Sequence, residues 1–177
     1  MNRFAMMACT SYLIGLAFSS AHAGAVMRDT TLHGVHIELH VMAAEPFYSK
    51  KEVASNTIAE GMMVMGGARP VGLTAASHPD HHLVVHVFDA KTGTAITDAK
   101  VKIKFHSLSD ASNTFTNVPI VVMQAIGKGA PSTHYGNNVT MPNGSYVIAV
   151  IADKIKVNFT VTLSDAAAPS MGGMDMH

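Results

Sequence analysis

"VHIELHVM", residues 35–42, alternates without a break: Val35, Ile37, Leu39 and Val41 are apolar, while His36, Glu38, His40 and Met42 between them are not. In an extended chain successive side chains point to opposite faces, so residues two apart line one face. The stretch therefore predicts a half-buried strand. One face is apolar, and the other carries two imidazoles, a carboxylate and a thioether.

The same reading extends along the chain. "HLVVHVFD" (82–89) predicts a second strand, "AKTG" a turn, and "DAKVKIKFHSL" a third strand with Val101, Ile103 and Phe105 opposed to Lys102, Lys104 and His106. "VPIVVMQ" (118–124), "SYVIAVIA" (145–152) and "IKVNFTVTL" (155–163) add three more, the last two joined as a hairpin by Asp153-Lys154. Ser49 followed by Glu52 has the spacing of a capping box, which predicts one helical turn. "EGMMVMGGARPVG" (60–72) predicts a strand running into a loop. Short strands, frequent turns and no long helix give an all-β class: an antiparallel, immunoglobulin-like β-sandwich of about seven strands over residues 24–164.

The ends read differently. Asn2 and Arg3 precede an apolar run from Phe4 to Phe18, and small residues follow, the order of a secretory signal peptide over residues 1–23. The run is too short for a comfortable membrane span, and no stable membrane anchor is expected. Cleavage after Ala23 leaves Gly24 first; cleavage after Ala21 would leave His22 first. Residues 165–177, "DAAAPSMGGMDMH", lack apolar bulk and predict a disordered tail.

Cys9 is the only cysteine and lies within the signal, so the exported chain is expected to hold its fold without a disulfide. Twelve basic residues balance twelve acidic ones, which gives no nucleic-acid surface. Ten His and ten Met remain after the signal, with no Trp. Imidazole and thioether without thiolate suit copper first and iron second. Triads, phosphate-cradling glycine loops, paired thiols and haem-attachment motifs are absent, so the chain is not read as an enzyme.

The candidate ligands follow from position. In "STHYGNNVTMP" (132–142), His134 and Tyr135 precede Gly136, Asn137 and Asn138, read as a tight turn that holds His134 at a solvent edge with the Tyr135 hydroxyl beside it. Met123 stands eleven residues earlier at a strand end, one loop closure away. "SHPDHHLVVHV" supplies His78, His81, His82 and His86. His82 and His86 share a strand face but lie about 13 Å apart along it, so one of them joins His134 and the other marks a second site or the rim. His36 and His40 are separated alike, whereas His36 and Glu38, about 7 Å apart, can converge on one ion. Met171, Met174, Met176 and His177 form a flexible set suited to transient Cu(I) capture.

"HYGNNV" after a strand-end Met resembles the periplasmic iron-uptake accessory proteins, with "HGVHIELHVM", "AAEPF" and "HHLVVHV" similar to other segments of that family. The resemblance implies an immunoglobulin-like domain in the periplasm, often a homodimer, binding copper and iron through Met, His and an acidic residue, with Met123 and His134 on two ligand positions. This chain departs from the pattern in a longer Met-to-His gap and in Val84, which stands where an acidic ligand is expected.

The expected function is a periplasmic metal-binding protein that captures copper, with iron as an alternative cargo, and hands it to a transporter or acceptor protein. A structural or assembly sandwich with incidental His and Met is the alternative. A copper enzyme is a third reading, in which a new N-terminal His22 would chelate through its amine and ring. N-terminal sequencing of the exported protein is expected to begin at Gly24; a chain beginning at His22 would reopen that third reading.

Overall fold

Alternating residues sort into two sheets in the computed structural model, which describes residues 25–66 and 79–164. The expected signal segment with its His22, His78 and the C-terminal residues Met171, Met174, Met176 and His177 lie outside the described residues. The strands are β1 (Val26–Leu32), β2 (Val35–Ala43), β3 (Phe47–Ser49), β4 (Met62–Val64), β5 (His81–Asp89), β6 (Val101–Ser107), β7 (Thr116–Val118), β8 (Val121–Ala125), β9 (His134–Val139), β10 (Gly144–Ala152) and β11 (Ile155–Leu163). A seven-stranded sheet runs β1-β2-β5-β9-β8-β4-β3, and a four-stranded sheet runs β11-β10-β6-β7.

The chain is thus an all-β sandwich. Ile37, Leu39 and Val41 from β2 and Leu83, Val85 and Val87 from β5 meet Ile103, Phe105, Ile148 and Val150 of the smaller sheet in one buried cluster. The alternation of residues 35–42 therefore has its predicted meaning, and the polar set of β2 faces the outer side of the larger sheet. The capping box closes as expected over α1 (Lys50–Ser55): the Glu52 N–H donates to Ser49 Oγ at 3.2 Å, and the Ser49 N–H donates to the Glu52 carboxylate at 2.7 Å.

Three differences from the sequence reading bear on function. Among the described residues eleven strands form where about seven were expected, and β3 pairs β4 in parallel while the other pairs are antiparallel. "VPIVVMQ" is two strands in two sheets, Val118 pairing with Ile103 and Val121 with Gly136. Pro119, which has no N–H to give a ladder, lies between them where the chain crosses over.

The third difference concerns "HYGNNV", which is β9 and not a turn. Gly136, Asn137 and Asn138 all stay out of the positive-φ region. A Cβ on Gly136 would collide with the Leu83 carbonyl oxygen and come within 2.8 Å of Val84 Cα. The glycine is required because β9 and β5 approach closely, not because the chain turns. β9 is also central, paired with β5 on one side and β8 on the other.

The larger sheet also curls. Phe47 on edge strand β3 is four strand steps from His82 on β5, about 19 Å in a flat sheet, yet their rings lie 5.7 Å apart. Curling turns part of the outer face inward and buries a second, smaller apolar cluster of Val64, Val84, Val121 and Met123, with Met42, Phe47 and Met62 packed against it. Gly136→Ala is expected to cost about 1–3 kcal/mol of stability through overpacking, read as a lowered denaturant midpoint; an unchanged midpoint would show that the two strands can separate freely.

Candidate metal centre

Strand register lines up four candidate ligands of three kinds in one row. Glu38 on β2 is opposite His86 on β5, and His134 on β9 is opposite Met123 on β8. The β5–β9 register, carried one residue beyond its last pair of Val85 with Tyr135, sets His86 opposite His134. Directly opposed residues share a face with their Cβ atoms about 5 Å apart. The row therefore reads carboxylate, imidazole, imidazole, thioether across four adjacent strands. His40 and His82 flank it, with His40–His86, His86–His134 and His82–His134 ring centroids 4.8, 5.1 and 5.6 Å apart.

Burial increases along the row. Glu38 is about a third exposed at 32%, whereas His134 retains 2% of its surface and Met123 and His82 none. His134 is consequently not the solvent-edge residue expected from sequence. It opens a central strand and faces the inside of the curl.

Hydrogen bonding then decides which ring nitrogen is free. The Asn138 amide is clipped to the Glu45 main chain, its Nδ2 donating to the Glu45 carbonyl at 2.7 Å and its Oδ1 accepting from the Glu45 N–H at 3.3 Å. Oδ1 is thus the atom that meets His82 Nδ1, 2.8 Å away, and an acceptor there requires Nδ1 to carry the proton. His134 Nδ1 is held likewise, donating to the Ser132 carbonyl at 2.8 Å. In both neutral rings Nε2 must then be an unprotonated lone pair. Both Nε2 atoms are buried without a hydrogen-bond partner. A ligating histidine has this arrangement, one nitrogen oriented by an acceptor and the other bare.

Electrostatics keep the rings neutral. Burial pushes His82 down to about 4 and His86 down to about 3, and the neighbouring imidazoles push in the same direction. The Asn138 and Thr133 hydrogen bonds oppose the shift without reversing it. His134 is also lowered, again chiefly by burial. At neutral pH no proton need be displaced from these lone pairs.

The outer end of the row differs. Glu38 Oε1 lies 3.1 Å from His36 Nε2, and Oε2 lies 3.4 Å from His40 Nε2. The second contact has ion-pair distance without hydrogen-bond alignment, so the buried His40 Nε2 is also unpartnered. His36 Nδ1 is 2.9 Å from the Thr31 hydroxyl, a rotor able to donate or accept.

Several sequence expectations change. His82 and His86 do not divide between two places, because their rings lean toward His134 from two positions on β5. His36 and His40, though far apart along β2, both reach the carboxylate between them. Tyr135 points away into the main core, where its hydroxyl donates to the Ile96 carbonyl and accepts from the Ala99 N–H. His81 pairs with Asp80 at 2.8 Å, outside the row. The orienting groups, Asn138, Ser132 and the Glu45 main chain, were not singled out from sequence. Ser132 and Asn138 both stand in the quoted stretch 132–142, and Asn138 was read there as a turn former.

Among the described residues, no three His, Cys, Asp or Glu side chains form a ready-made metal-holding group. The register adds a thioether that such a set omits. The ring spacing also suits a shared ion: two imidazoles bound through nitrogen at about 2 Å to a tetrahedral ion have centroids about 5 Å apart. Among the described residues no helix is long and apolar enough to cross a membrane. No family profile, curated protein or solved structure matches this chain.

The low imidazole pKa values link stability to pH. Unfolded histidines take up protons as pH falls through about 6.5, while folded His82 and His86 do not until about 4 and about 3. Below 6.5 the unfolded state binds more protons, so stability is full above that pH and declines toward 4. Metal-free protein is expected to lose on the order of 6 kcal/mol between pH 7 and 4, roughly 3 from each of these two rings. Denaturation midpoints measured across that range check it, and a flat profile would mean the rings are hydrated.

Proposed function

We propose that this chain is an exported, non-enzymatic carrier of a soft metal ion, copper first, which it holds through His82, His134 and Met123 and passes to a transport or resistance partner. The observation that carries this reading is the pair of buried Nε2 lone pairs, each bared by a fixed acceptor on the opposite nitrogen, in the strand neighbourhood of a fully buried thioether. Leaving such nitrogens without a partner costs stability unless something binds them.

Charge favours Cu(I) over divalent cargo. His82, His134 and Met123 are neutral, and Glu38 stands beyond His86 at the outer end of the row. The Born cost of burying an ion grows as the square of its charge, so a divalent ion costs about four times as much to place there. Neutral nitrogen and sulfur donors have the softness that Cu(I) prefers. Fe(II), iron being the second cargo implied by the family resemblance, is disfavoured on both counts. The apolar surroundings of Val64, Val84 and Val121 limit water, and with it competing ligands.

Anaerobic Cu(I) titration against a calibrated chelator is the test. One equivalent is expected to bind tighter than micromolar, with Met123→Leu and His134→Phe each weakening it about 100-fold or more while thermal unfolding confirms that both variants fold. Wild-type protein without binding in that range leaves the assembly-domain reading.

A further inference from the structure

The proposed carrier leaves a question of access, because His134, His82 and Met123 have essentially no exposed surface. We infer that the row Glu38–His86–His134 is a loading path. On this inference, which rests on the carrier reading, a soft monovalent cation is received at the outer cluster of His36, Glu38 and His40 and moves by ligand exchange through His86 to the buried donors.

The outer end is built to receive a cation. On the His36 side, Glu38 and Asp89 line an open hollow of about 220 Å³ that contains no Lys or Arg, whereas the hollow on the His40 side carries Arg28 beside Asp29. The proton that His36 Nε2 donates to the Glu38 carboxylate can move to Nδ1 by tautomer exchange, where it donates to the Thr31 hydroxyl, which accepts as readily as it donates; Nε2 is then a lone pair. His40 Nε2 is buried and lacks an aligned partner already.

Inward from there, spacing permits exchange without release. His40–His86 and His86–His134 centroids at 4.8 and 5.1 Å bracket the roughly 5 Å expected for two imidazoles on one ion. An ion can therefore gain the next imidazole before losing the last one. His86 suits transit and not residence, since its ring faces the Thr133 backbone carbonyl and it has no unpartnered buried nitrogen of the kind found in His82 and His134. The direction is chemical. Carboxylate oxygen at the rim gives way to nitrogen and then to sulfur at Met123, so donor softness rises as the ion moves inward. No electron is transferred at any step; one metal–ligand bond forms as another breaks.

A path lowers a barrier without changing the end states, so its loss must slow arrival and departure equally. The experiment follows Cu(I) transfer from its coloured bicinchoninate complex to the full exported chain by stopped-flow absorbance, and the reverse transfer to excess chelator. Glu38→Gln and His86→Phe, the latter keeping a ring against Phe88, are expected to slow both directions about 10-fold or more with the dissociation constant changed less than about 3-fold. Unchanged rates in both variants, with Met123→Leu still weakening binding about 100-fold or more, would overturn the path and leave the carrier intact. A dissociation constant raised more than about 10-fold in His86→Phe, through faster departure alone, would make His86 a resident ligand and also overturn it. Absence of Cu(I) binding by the wild-type chain would remove carrier and path together.

Discussion

Two fixed acceptors, the Ser132 carbonyl and the Asn138 amide oxygen, take the Nδ1 protons of His134 and His82. A neutral imidazole has one proton to place, and once its position is decided the other nitrogen is a lone pair. Asn138 is itself oriented by the Glu45 main chain, so the tautomer of His82 follows from backbone three strands of sequence away. Without these acceptors the buried rings could turn to satisfy each other, His82 lying edge-on to His134. With them, the unpaired nitrogens remain as a cost within the folded state that a bound ion would offset.

The sandwich supplies the rigidity this requires. β9 lies between β5 and β8 and brings His134 beside Met123 and His86 by register alone. Gly136 lets β5 and β9 approach, and the curl of the larger sheet makes an interior from what would otherwise be an outer face. Two cores result: a conventional apolar one between the sheets, and a small one in the curl where valines and methionines surround the imidazoles. The second excludes water, which depresses the imidazole pKa values and favours low charge in any cargo.

Chemical character divides along the same row. At its outer end a carboxylate lies between two partly exposed histidines, an environment tolerant of charge. At its inner end the donors are neutral and buried. A single direction across the strands thus runs from hard to soft ligands and from hydrated to dry surroundings.

Much of this was legible in sequence. Strict alternation at 35–42 and 101–106, the Asp153-Lys154 hairpin and the Ser49–Glu52 capping box are local patterns, and each formed as read because its physics lies within a few residues. The residue types of the row were also legible, as an excess of His and Met in a chain with a single Cys. Their arrangement was not. Distance along one strand separated His82 from His86, yet long side chains reaching a neighbouring strand brought both to His134. "HYGNNV" carried turn-forming residues and became a central strand, because pairing on both edges outweighs the turn propensity of Gly and Asn. Composition and alternation determined an all-β chain with imidazole and thioether side chains on one strand face; register, curl and the partners of Nδ1 were decided in three dimensions, since each depends on segments up to 93 residues apart in sequence.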